Sequence, residues 1–125
     1  MTGELVPDDL RSFILEHIDS VAQLEALLLL RREAEREWDA ASTAKRLYVS
    51  DTVAAEILFR LRADGLLSSR GSSYRYAPAS PELAALVGRL AEIYSRALIP
   101  VTNIVHNNPL RLRKFADAFR FRKDK

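Results

Sequence analysis

Residues Asp39–Ala77 read D-A-A-S-T-A-K-R-L-Y-V-S-D-T-V-A-A-E-I-L-F-R-L-R-A-D-G-L-L-S-S-R-G-S-S-Y-R-Y-A, and the fold turns on this stretch. The pattern predicts a short helix, a tight turn, a second helix and a small hairpin. Asp39 is a candidate N-cap for the first helix. Ala44 supplies a small side chain where two crossing helices need one. Leu47 and Val49 bracket the turn with apolar groups expected to point inward. Ser50 is a candidate N-cap for the second helix, its hydroxyl placed to accept from an orphan N–H. Ala54, Ile57, Leu58 and Leu61 recur at helical spacing as the buried stripe of that helix. Gly65 ends it, because glycine enters the left-handed region freely. Leu66–Ser69 and Tyr74–Ala77 are then expected to pair as two short strands across Arg70-Gly71-Ser72-Ser73.

The Ala44…Leu47-x-Val49-Ser50 turn, the Leu61-x-x-x-Gly65-Leu66-Leu67 helix end and the Arg70–Tyr76 hairpin resemble the winged-helix domains of MarR-like bacterial transcriptional regulators. The resemblance is close over about a third of the chain and looser over the flanking helices. It implies a mainly α fold, a winged helix-turn-helix with a small β-hairpin wing and flanking N- and C-terminal helices. It also places Trp38 on a very short strand that pairs with the wing, where a buried Trp closes the domain. In such domains the second helix enters the major groove and its N-terminal residues reach base edges. Carried over to this sequence, the base-facing set is Ser50, Asp51, Thr52, Ala55 and Glu56.

That set contains no Arg or Lys, the residues that read guanine bidentately. Asp51 and Glu56 face phosphate unfavourably. The backbone contacts are therefore expected from Lys45, Arg46, Arg60, Arg70 and Arg75, which position a protein on DNA while specifying little. The expected function is a cytoplasmic, non-enzymatic transcriptional regulator that binds double-stranded DNA. A neutral-to-acidic reading face keeps a second expectation open, a winged-helix protein-interaction adaptor that does not bind DNA.

The 125 residues fit one domain, and 48% apolar content is enough for a core. The absence of cysteine excludes disulfides and thiolate metal sites. His17 and His106 lie on separate expected helices with no second histidine at i+4 spacing, so no metal site is expected. Four glycines stand singly, without a phosphate-binding loop, and no Ser or Asp is linked to a histidine as a nucleophile needs. No enzyme activity and no cofactor are expected. The apolar run Ala26–Leu30 is far shorter than the roughly 20 residues a membrane helix requires. The first ten residues are acidic where a secretory signal is basic.

Net charge is only +2, and its distribution says more. Pro109–Lys125 carries seven basic and two acidic residues, a net +5, which leaves −3 for the rest. With Phe115, Phe119 and Phe121, this tail reads as a basic arm for nucleic acid or an acidic partner rather than as a membrane-surface helix.

The whole chain reads as a single domain over 1–125. N-terminal helices fill 7–36, the helix-turn-helix and wing 37–78, a long helix 80–108, and a basic C-terminal helix and tail 109–125. In the first helix, 7–17, Pro7 takes the first helical position and Leu10, Phe13, Ile14 and Ile18 share a face. Ser20 and Gln23 form a capping-box signature for a second helix over Val21–Arg36, whose broad leucine band predicts burial on several sides. Ser80-Pro81-Glu82 starts the long helix. There Leu83, Val87, Leu90, Tyr94, Ala97, Val101 and Ile104 follow at alternating spacings of four and three, the period of helix-against-helix packing. This seam is expected to form a homodimer interface, and Pro100 to kink the helix near Ala97–Ile99.

Overall fold

The structure, a computed structural model, describes residues 6–107. Among the described residues it is mainly helical with one two-stranded antiparallel sheet, an order compatible with the expected winged helix. The expected C-terminal helix and tail over 109–125 lie outside the described residues.

Helix α1 is Asp8–His17, with Pro7 as its N-cap (ψ 155°) rather than its first helical residue. Leu10, Phe13 and Ile14 are buried, joined by Ile18 just past the end. Helix α2 is Val21–Arg32, and Ser20 Oγ accepts from the Gln23 N–H at 3.1 Å. The reciprocal half of the expected capping box does not form. The buried Gln23 amide instead accepts from the Asp19 N–H (2.9 Å) and donates to the His17 carbonyl (2.8 Å), splinting α1 to α2. Leu24, Ala26, Leu27, Leu28, Leu29 and Leu30 are all buried, so α2 is apolar nearly all round and sits at the centre. It stops four residues short of the expected Arg36, because the chain must leave the helix to bring Trp38 to the hairpin.

Helix α3, Ala40–Leu47, carries a complete capping box: Asp39 Oδ1 accepts from the Ser42 N–H (2.8 Å) and Ser42 Oγ from the Asp39 N–H (3.0 Å). Ala44 is buried, while Leu47 and Val49 are half-buried. Between them Tyr48 turns left-handed (φ 59°), letting the Val49 N–H reach the Ala44 carbonyl at 3.2 Å. A non-glycine residue enters that region at a cost of about 1–2 kcal/mol. Helix α4, Asp51–Ala63, begins at Ser50, whose Oγ accepts from the Val53 N–H at 3.1 Å. It buries Ala54, Ile57, Leu58 and Leu61, the stripe expected. Gly65, at φ 82°, reverses the chain, and the Leu66 N–H closes onto the Leu61 carbonyl at 3.0 Å.

Strands β1 (Leu67–Arg70) and β2 (Ser73–Tyr76) form the hairpin, with Arg70 opposite Ser73 and Leu67 opposite Tyr76. Each lies one residue nearer the turn than expected. Gly71 (φ 61°) takes the first position of a two-residue turn, the place a II′ hairpin turn reserves for glycine, so the four-residue turn is not needed. Leu66 and Ala77 extend the pairing by one bond of 3.1 Å. Trp38 pairs antiparallel with Tyr74 through two backbone bonds of 2.8 and 2.6 Å.

The expected long helix is two helices, α5 (Pro81–Arg96) and α6 (Leu98–His106), broken at Ala97. Pro100 has no N–H for the Arg96 carbonyl and its ring clashes there, which ends the first segment. The residues of the expected seam are largely covered within one chain. Val87, Leu90, Tyr94, Val101 and Ile104 are buried within one chain, and Leu83 and Ala97 are half-buried. Within the chain these residues pack α5 and α6 against α1.

Two polar clamps fix this arrangement. Asp9 takes two bonds from the Arg89 guanidinium (2.6 and 3.1 Å), which hold its carboxyl below the usual range. The Tyr94 hydroxyl donates to Glu25 Oε2 at 2.6 Å, and burial followed by this bond pushes its pKa up to about 12. The neutral phenol is therefore favoured by folding. Its stabilisation is complete below the ordinary tyrosine pKa near 10 and is lost as pH rises toward 12. An ultraviolet titration should show a late phenolate step that Tyr94→Phe removes. Leu90→Ala should cost about 2–5 kcal/mol in urea unfolding, as expected of a core position. A Leu90→Ala protein of unchanged stability would return the seam to the surface.

Candidate nucleic-acid interface

Helical spacing turns Thr52, Glu56, Phe59 and Ala63 of α4 away from the buried Ala54, Ile57, Leu58 and Leu61. All five expected base-facing residues, Ser50, Asp51, Thr52, Ala55 and Glu56, are exposed, and between Ser50 and Glu56 only Ala54 is buried. The structure divides them. Thr52 and Glu56 stand on the outer face. Asp51 and Ala55 line a groove of about 380 Å³ with Asp39, Ala40, Ala41, Ser72 and Tyr74, between the first turn of α3 and the hairpin tip. Ser50 spends its side-chain oxygen on the cap. This groove is floored by alanines and edged by two carboxylates, and Asp39 is held ionised below the usual range by the Ser42 N–H and hydroxyl.

The expected phosphate-binding cations lie elsewhere, and four of the five already face carboxylates. Alternation along the hairpin puts Leu67, Tyr74 and Tyr76 toward the core and Ser68, Arg70, Ser73 and Arg75 on the outer face. Arg70 and Arg75 both approach Glu37 Oε2, at 4.0 and 3.6 Å, over a groove of about 280 Å³ lined also by Ser68, Ser69 and Ser73. Arg70 stays 88% exposed, so its contact is loose. Arg46 meets Glu33 at 3.1 Å, and this bond, aided by Arg36, draws the Glu33 carboxyl below its ordinary range. The Arg36 and Arg46 guanidinium carbons lie 4.0 and 5.3 Å from the centre of the Trp38 ring, sealing it. Arg60 goes to the other end of α4, 2.9 Å from Asp19. Lys45 makes no ion pair among the described residues.

Arg70 and Arg75 are thus brought together, as are Arg46 and Arg36, both pairs around residues 33–38. Arg60 is separated from them. The sequence missed Glu37, Glu33 and Asp19, the partners that hold these arginines. Glu33 and Arg36 stood at a readable i, i+3 spacing inside the mixed-charge run, whereas nothing in the sequence joins Glu37 to Arg75. Arg62, which donates from Nε to Ser69 Oγ at 2.9 Å and ties α4 to β1, was missed as well.

Among the described residues no three His, Asp or Glu side chains gather as metal ligands, and no helix is long and apolar enough to cross a membrane. Comparison of the chain with protein-family models, curated proteins and solved structures gives no match. Any functional assignment therefore stands on residue geometry.

Exposed ion pairs contribute about 0–1 kcal/mol each. Glu33→Gln should accordingly change urea stability by less than about 1 kcal/mol. Trp38→Ala, which empties a fully buried site, should cost about 3–5 kcal/mol. Equal effects would place Trp38 outside the core.

Proposed function

We propose that this chain is a winged helix-turn-helix protein that binds double-stranded DNA through its backbone and acts as a cytoplasmic transcriptional regulator. One observation carries the proposal. The order α2, bridged Trp38, α3, α4, hairpin leaves α4 exposed beside a hairpin whose outer face bears Arg70 and Arg75. An α-helix fits the major groove, and a flanking hairpin can reach phosphates beside it. The pairs that Glu37 and Glu33 make with the arginines are exposed, so phosphate oxygens can take their place. With Asp51 and Glu56 on α4, affinity comes from the flanking cations and sequence discrimination is modest.

A second reading, the protein-interaction adaptor, is favoured by the exposed Phe59, Val53 and Tyr48 along α4 and its preceding turn.

Arg70→Ala with Arg75→Ala should weaken binding to unrelated duplexes alike. It should also lower the slope of log affinity against log salt by about 2, near 0.9 for each phosphate no longer neutralised. Glu37→Gln, freeing both arginines, should strengthen binding at low salt. Fluorescence anisotropy on random duplexes measures both. No retention of the wild type on any duplex at low salt would discard the DNA proposal in favour of the adaptor.

A further inference from the structure

The exposed side of α4 changes sign along its length. Glu56 lies in mid-helix, Arg60 and Arg62 lie in the last turn, and Phe59, 63% exposed, stands where the sign reverses. The helix dipole favours arginines in a last turn. It accounts neither for the carboxylate in mid-helix nor for a phenylalanine in water.

Counted from Phe59, the exposed residues mirror one another. Glu56 and Arg62 stand three positions to either side, and Ala55 and Ala63 four. At 1.5 Å per residue the two charges lie ~4.5 Å and the alanines ~6 Å from Phe59 along the axis. Glu56 and Arg62 also flank Phe59 by the same angle, about 60°, on opposite sides of the helix. Glu56 has no ion pair among the described residues. Arg62 donates only its Nε there, to Ser69 Oγ. A wholly acidic or wholly basic partner would meet like charge at one end of this face. A copy of the same face, run antiparallel, meets opposite charge at both ends.

We propose that the outer face of α4 is a docking surface for the same face of a second copy of this chain. A twofold axis beside Phe59 lays the two phenylalanines together and brings Glu56 of each copy level with Arg62 of the other. Both side chains are long enough to reach across the seam. Ala55 and Ala63 fall level with one another and do not hold the helices apart. Arg60, held by Asp19 on the same side of the helix as Glu56, adds positive charge beside the glutamate of the other copy. The exposed Leu98 and Ile99 of α6 lack this self-matching, because Arg96 precedes them and α6 contains no carboxylate. Pairing covers the helix that the DNA proposal directs at the major groove. Dimer and duplex therefore exclude one another, and the pairing itself needs no DNA.

Sedimentation equilibrium of the full chain without DNA tests the pairing. The wild type should pass from monomer to dimer as its concentration rises, and less readily in high salt. Glu56→Arg and Arg62→Glu should each raise the dimer dissociation constant about tenfold or more, since the twofold counts every repulsion twice. An equimolar mixture of the two variants should regain the dimer. One copy then carries arginine at both positions and the other glutamate at both, and a folding defect could not produce that recovery. Phe59→Ser should abolish the dimer, and Leu98→Ser with Ile99→Ser should leave it unchanged. A wild type that is monomeric at every concentration overturns the proposal. So does a dimer indifferent to both charge reversals, a mixture that stays monomeric, or a dimer lost with Leu98 and Ile99 rather than with Phe59. With no duplex present, none of these outcomes depends on DNA binding.

Discussion

Two backbone hydrogen bonds between Trp38 and Tyr74 hold the described part of this molecule in its arrangement. They are short, mutual, and formed by residues 36 positions apart, so they close a loop containing α3, α4 and β1. The indole enters the core beneath Arg36 and Arg46. Because the hairpin is fastened there, its outer face and the exposed side of α4 keep a fixed relation. The early end of α2 follows from the same constraint. Helix propensity alone would carry α2 further through Glu33–Arg36, but the chain has to extend for Trp38 to reach the sheet.

Around this fastening the electrostatics are arranged as exposed, exchangeable pairs. Glu33 and Glu37 sit on the connector between α2 and α3 and occupy three of the arginines that a nucleic acid could use. Pairs of this kind contribute little to stability and are screened by salt. Their effect is on what surface charge is presented. Carboxylates temper the flanking arginines, whereas Asp51 and Glu56 leave α4 without positive charge at its leading end. Under the proposed function, an interface so built would grip through its edges and read weakly at its centre.

The seam of α5 and α6 shows what a periodic pattern leaves open. Alternating spacings of four and three require an apolar partner surface, and they are satisfied equally by another helix of the same chain or by a second copy. Here α1 and α2 supply that surface, with Arg89–Asp9 and Tyr94–Glu25 fixing the approach. Gly88 marks a close approach as well, since a side chain there would meet the Arg31 guanidinium at 3.3 Å. The break at Ala97 lets α6 turn back toward α1 and complete the core.

Local chemistry in the sequence determined most of the elements. Ser50, Ser80 and Asp39 cap the helices they precede, Gly65 ends α4, Pro100 breaks the long helix, and the buried stripe of α4 was readable from its period. Each depends on residues within a few positions, so neighbouring side chains were enough to specify it. Tertiary structure decided the hairpin register, the limit of α2, the destination of the seam and the partners of Arg46, Arg60, Arg70 and Arg75. Those outcomes depend on contacts between residues far apart in the chain, where burial and charge pairing are set by which surfaces meet and leave no periodic trace in the sequence.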